Sequence, residues 1–179
     1  MSGRTHAVVP AGLVAIFSQG DPTLSLAAAI GGLVPDIDEP YSVIGQRLWF
    51  LAFWMKFCFG HRTVSHSLLT VILLLLVGLL CLIPPVLVMA FCVGWGSHLI
   101  LDALSGGIQL WWPSKDRWVL ARYPIYGAVD QACLLVGAVL FVVGTWGRIG
   151  TTVSTLPLGG ESSRTSATQV LGDGSGHDR

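Results

Sequence analysis

From Ser67 to Leu101 the chain carries no Asp, Glu, Lys or Arg, and Pro84-Pro85 divides this stretch in two. Proline lacks the helical N–H donor and restricts the residue before it, so a helix ends at the pair. The first half, Ser67 to Ile83, is dominated by leucine. At a rise of about 1.5 Å per residue, about 18 residues reach about 27 Å, near the hydrocarbon thickness of a bilayer. The second half resumes at Val86 and runs to Leu104. Residues 66–104 therefore read as a tight transmembrane hairpin. Its polar ends, His66 on one arm and His98 with Asp102 on the other, return to one membrane side. A third span is expected from Ala128 to Trp146, entered from that same side through the loop Trp111 to Tyr126.

Composition agrees with a bilayer. The 179 residues are 53% hydrophobic and 11% charged, against roughly 25% charged in soluble domains. Mean hydropathy is +0.69 and the pI about 6.9. With zero net charge there is no basic surplus for nucleic-acid binding. The four cysteines (Cys58, Cys81, Cys92 and Cys133) form no Cys-x-x-Cys pair, and three lie in apolar runs where a thiol acts as a small hydrophobe. The apolar stretch Ala7 to Phe17 is interrupted by Pro10 and Gly12 and lacks a convincing cleavage site, so the N-terminus reads as retained.

The expected architecture is all-α: a multi-pass membrane helix bundle with a polar cluster at one face. Residues 1–149 form one integral-membrane domain, and residues 150–179, rich in Gly, Ser and Thr, read as a disordered tail. Gly20-Asp21-Pro22 breaks the apolar segment 7–34 into two short helices, re-entrant or buried. Leu48 to Phe59 has the aromatic content of an interfacial helix. Arg47, Lys56 and Arg62 precede the hairpin, and Lys115, Arg117 and Arg122 follow it. The positive-inside bias puts both loops on the cytoplasmic side.

Ionisable groups beside such helices usually mark function. His98 and Asp102 are one helical turn apart on one face and can reach a single cation, or form a hydrogen-bonded pair at a helix end. Asp36 and Asp38, between Pro35 and Pro40, share a side in an extended loop, as a cation pair or as an exposed acidic turn. His61 and His66 bracket a loop-to-helix junction. Between them Arg62 offers a forked guanidinium to an anionic group, or snorkels to the interface. Ser65 and Ser97 each precede a histidine, to orient it or to cap a helix. Asp130 caps its own helix or joins the cluster. His177, in the tail, reads as no ligand.

Taken in order, the motifs resemble the YdjM-type family of membrane-bound metal-dependent hydrolases. That family shows Thr-His, Pro-Asp-x-Asp, His-Arg-x-x-(Ser/Thr)-His-Ser and Ser-His-x-x-x-Asp. Here they are Thr5-His6, Pro35-Asp36-Ile37-Asp38, His61 to Ser67 and Ser97 to Asp102, followed by Gly106 to Pro113. The match runs from about residue 5 to 130. The resemblance implies a hydrolase using a divalent metal such as Zn²⁺, with His6, Asp36, Asp38, His61, His66, His98, Asp102 and Asp130 as the ligand set. Family members often carry Glu near the position of Asp130. Eight groups exceed one tetrahedral site, so two metals bind or some groups serve as acid or base. On this reading Asp38 takes the proton of a water and Arg62 binds substrate, a lipid-like or phosphoester compound at the membrane interface. Two rivals stand beside it: transit of a cation or proton, and a closed structural metal site that only holds helices together.

Overall fold

The computed structural model describes residues 1–60 and 62–154. Among them every regular element is helical: α1 (Gly3–Phe17), α2 (Pro22–Leu33), a 3-10 turn (Val34–Asp38), α3 (Trp49–Phe59), α4 (Leu68–Leu80), α5 (Pro85–Ser105) and α6 (Ala128–Ser154). The chain divides into a unit Met1–Arg148 and a second unit from Ile149, described here only as the end of α6. The rest of the expected tail, and His61 and His177, lie outside the described residues.

Local chemistry sets the boundaries. Asp21 caps α2, its Oδ1 accepting from the backbone N–H of Thr23 (2.8 Å) and Leu24 (3.0 Å). The two short N-terminal helices expected for residues 7–34 are α1 and α2. Ser67 caps α4 through the N–H of Leu69. Pro85 opens α5 at its first position, where a missing N–H costs nothing.

Among the described residues two helices are long and apolar enough to cross a bilayer: Pro85–Ser105 and Ala128–Ile149, of 21 and 22 residues. Each reaches about 32 Å. The first arm of the expected hairpin is shorter than its sequence suggests. Helix α4 has 13 residues, about 20 Å, because the chain leaves the helix at Cys81 and Leu82 takes a left-handed φ of 56°. Pro84-Pro85 forces that exit early. In the other direction α6 outruns the expected Trp146 and continues to Ser154. Its outward face is apolar, with Leu135, Val139, Val142 and Trp146 all exposed. A soluble domain rarely displays so much contiguous apolar surface.

The helices approach closely where they lack side chains. A Cβ on Gly94 of α5 would lie 2.0 Å from the Ala28 carbonyl of α2, and one on Gly32 of α2 would lie 2.0 Å from the His6 carbonyl of α1. Gly12 of α1 faces Gly137 of α6 in the same way. Small residues that let backbones meet are the usual basis of helix packing in lipid. The loop after α5 then folds back on it. Ile108 and Trp118 exchange both backbone hydrogen bonds, and Leu120 N–H donates to the Ala103 carbonyl. Ile108, 2% exposed, packs against Trp95, Leu99 and Ala103. Helix α3 contacts the 3-10 turn, buries only Ala52, and leaves Trp49, Phe53 and Phe57 exposed.

Candidate metal centre

Three chain segments carry the polar residues to one place. The 3-10 turn after α2 delivers Asp36 and Asp38, the turn before α4 delivers His66, and the last two turns of α5 deliver His98 and Asp102. His66, His98 and Asp102 are buried, and Asp36 is partly buried. One ligand atom from each of Asp36, His66, His98 and Asp102 lies within 4.8 Å of all the others.

The hydrogen bonds fix which imidazole nitrogens face inward. His98 Nδ1 lies 2.7 Å from the Gly32 carbonyl, which can only accept. The proton is therefore on Nδ1, and Nε2 carries the lone pair. His66 Nδ1 lies 2.9 Å from Ser65 Oγ, which itself donates to Asp38 Oδ2 at 2.7 Å. With its proton committed to Asp38, Ser65 can accept from His66 Nδ1–H. Both Nε2 atoms then point at each other, 3.1 Å apart. Two facing lone pairs at that distance repel unless a proton or cation lies between them.

The spacings fit a metal. A tetrahedral site with ligand bonds near 2.0–2.1 Å has ligand-to-ligand edges of about 3.3 Å. The edges seen are 3.1 Å between the imidazoles, 3.3 Å from His66 Nε2 to Asp102 Oδ2, and 3.7 Å from His98 Nε2 to the same oxygen. Asp36 Oδ1 lies 3.6 Å from His98 Nε2 and 4.0 Å from His66 Nε2. Asp102 Oδ2 is moreover buried without a hydrogen bond. Arg62 Nη2 lies 3.0 Å from it as an ion pair. Two imidazoles and two carboxylates form a donor set suited to Zn²⁺ and similar ions.

Electrostatics tell the same story. Burial disfavours charge on His66, but the carboxylates of Asp102 and Asp38 beside its ring outweigh burial and push it up to about 9. Burial raises the Asp36 carboxyl above its ordinary range, partly countered by His6 and reinforced by the Asp102 charge. Without a metal, a proton does the cation's work.

The remaining expected site residues stand around these four. Asp38 Oδ2 accepts from Ser65 Oγ and from Arg62 N–H (2.9 Å) and lies 3.5 Å from His66 Nδ1, so it sits behind the imidazole ring. His6 Nε2 lies 3.2 Å from Asp102 Oδ1, its ring stacks on His98 at 3.9 Å, and its Nδ1 is buried with no hydrogen-bond partner among the described residues. Asp130 lies apart from the four. Its oxygens accept from Ser2 N–H, Thr5 Oγ and Tyr126 N–H, tying α1 to the start of α6. Ser97 bonds back to the Gly94 carbonyl of its own helix.

Arg62 sits at the rim, partly buried, with φ of 58° held by its N–H bond to Asp38. A non-glycine residue in that region is strained and often functional. A Cβ on Gly106 would lie 2.9 Å from Arg62 Nη1, so the glycine leaves room for the guanidinium. Gly32, Thr5 and Trp95, whose Nε1–H donates to the Ser65 carbonyl at 2.8 Å, support the site. The sequence hinted at Gly32 only through the Gly31-Gly32 pair inside an apolar helix.

The family model described as YdjM inner membrane protein matches residues 1–159. The uncharacterized protein YvsG of Bacillus subtilis (strain 168) is 33% identical over 145 residues, covering 78% of this chain and 91% of its own length. The inner membrane protein YdjM of Escherichia coli (strain K12) is 37% identical over 143 residues, covering 75% of this chain and 71% of its own. No solved structure matches the chain.

Proposed function

Because the chain belongs to the YdjM inner membrane protein family, we propose that it is a multi-pass inner-membrane hydrolase whose metal centre faces the cytoplasm. The domain spans residues 1–149, with 150–179 an appended tail. The observation that carries this reading is the pair of Nε2 atoms 3.1 Å apart, flanked by two carboxylates. Asp36, His66, His98 and Asp102 would hold the ion. A divalent cation there supplies Lewis acidity, polarising an ester or phosphoester and acidifying a water.

The protein's own groups do the rest. Asp38, through Ser65, holds His66 in the tautomer that offers Nε2. Gly32 does the same for His98. Asp38 and His6 are the two groups that would take the water's proton: Asp38 lies beside His66, and His6 lies against Asp102 with its Nδ1 buried and without a hydrogen-bond partner among the described residues. Arg62 turns from Asp102 to the substrate's anionic oxygen.

The rivals fit less well. Transport calls for ionisable groups spread through the bilayer, whereas these gather at one end of α5. A closed structural site is enclosed on every side, whereas Asp36 and Arg62 keep 20% and 19% side-chain exposure. The test is metal content and hydrolysis in purified wild type and His98→Ala. Loss of both together is the expected result, and unchanged metal with unchanged hydrolysis overturns the reading.

A further inference from the structure

A groove of about 530 Å³ runs between α2, α4 and α5, within the size range of small-molecule sites, about 300–1,000 Å³. Its walls are Leu26, Ile30, Val77, Leu87 and Phe91, with the small Ala27 in its lining; Thr23 is the one residue there that is not apolar or glycine. None of these residues belongs to the metal centre. Leu26, Ile30 and Val77 are 61%, 45% and 46% exposed, so the groove opens outward on the apolar surface of the helices.

Its direction is informative. On α2 it runs from Thr23 to Ile30, two residues before Gly32, whose carbonyl holds His98. On α5 it runs from Leu87 to Phe91, seven residues before His98, about 10 Å along the axis. On α4 it runs from Ile83, just past the helix, back to Leu74, toward His66. All three segments lead from the groove toward the metal centre, where the Arg62 guanidinium stands at the rim.

An apolar slot at hydrocarbon depth with a cationic group beyond its end matches one kind of molecule in charge and polarity. We propose that the groove seats an acyl chain of a membrane phospholipid and places the headgroup phosphoester at the metal centre, facing Arg62. This rests on the hydrolase reading and names its substrate class. Hydrolysis breaks one P–O ester bond and forms a P–O bond to the water oxygen. The water's proton passes to the leaving alcohol.

The test uses the full chain with added Zn²⁺ in phosphatidylethanolamine–phosphatidylglycerol vesicles containing a phospholipid with a diazirine on its acyl chain. Photolabelling is expected to concentrate on Leu26, Ala27, Val77 and Leu87 over the outward face of α6. Ala27→Phe fills the groove from within, and Val77→Trp from its exposed lip, where folding is less at risk. Either variant should cut groove labelling and kcat/KM for the long-chain lipid about tenfold, leaving water-soluble bis(p-nitrophenyl) phosphate within about twofold. Labelling no denser in the groove than on α6, or unchanged in Val77→Trp, overturns the proposal, as does cross-linking of groove cysteines between two copies of the chain. Selective labelling with neither ester cleaved upholds the acyl-chain site and removes the hydrolase reading. Cleavage of both esters without selective labelling removes the acyl-chain site alone.

Discussion

His66, from the turn before α4, and His98, from α5, bring their Nε2 atoms to 3.1 Å while the Nδ1 of each is engaged elsewhere. This relationship calls for a positive charge between the two rings, and with the surrounding carboxylates it makes a donor set that could hold a metal ion or, in its place, a proton.

Asp38 acts on the site through His66. Asp38→Asn should weaken metal affinity about 10- to 100-fold, the range for losing a partner that orients a ligating histidine. Competition with a chromophoric chelator measures it. Unchanged affinity would contradict the assigned role.

Metal and proton compete for His66 Nε2. Its value is raised to about 9 from an ordinary 6.5, so the metal-free protein holds that proton at neutral pH. Apparent metal affinity should therefore climb about tenfold per pH unit from near 7 and level off above about 9. The raised value also stabilises the metal-free fold fully below pH 6.5, and that stabilisation is lost as pH rises through about 9. Chelator competition and thermal unfolding of the metal-free protein across that window test both, and a flat profile speaks against them.

Asp130 ties α1 to the start of α6 by accepting from Ser2 N–H and Thr5 Oγ. Asp130→Asn keeps the side chain's shape but weakens charge-assisted bonds worth about 1.5–3 kcal/mol each. The melting temperature should fall while metal stoichiometry stays that of the wild type. Loss of metal with an unchanged melting temperature would reverse the assignment.

Gly94 sets the distance between α5 and α2. Gly94→Ala places a methyl 2.0 Å from the Ala28 carbonyl, backbone that cannot turn aside. Overpacking of this kind costs about 1–3 kcal/mol. A lowered melting temperature in detergent is expected, whereas the same change at Gly96, where nothing lies within 4 Å, should be nearly silent.

Much of the site could be read from residue spacing. The one-turn separation of His98 and Asp102 and the proline-broken hairpin together brought His66 and His98 to the same end. The division of labour could not be read so. Asp36 and Asp38 look equivalent in sequence, yet the tight 3-10 turn sends one carboxylate to the imidazole Nε2 atoms and the other behind His66. Asp130 stands near the cluster by chain order, but Ser2 and Thr5 claim its oxygens. The length of α4 is not legible in hydropathy, which counts apolar residues and not the backbone exit that a proline pair forces. The close α2–α5 approach depends on single glycines, which carry no periodic signal.

The most direct measurement is anomalous X-ray scattering at the zinc edge from crystals of the zinc-loaded protein. The account predicts one strong peak bonded to His66 Nε2, His98 Nε2 and carboxylate oxygens of Asp36 and Asp102. A peak elsewhere in the chain, or none in protein shown to be loaded, would contradict it.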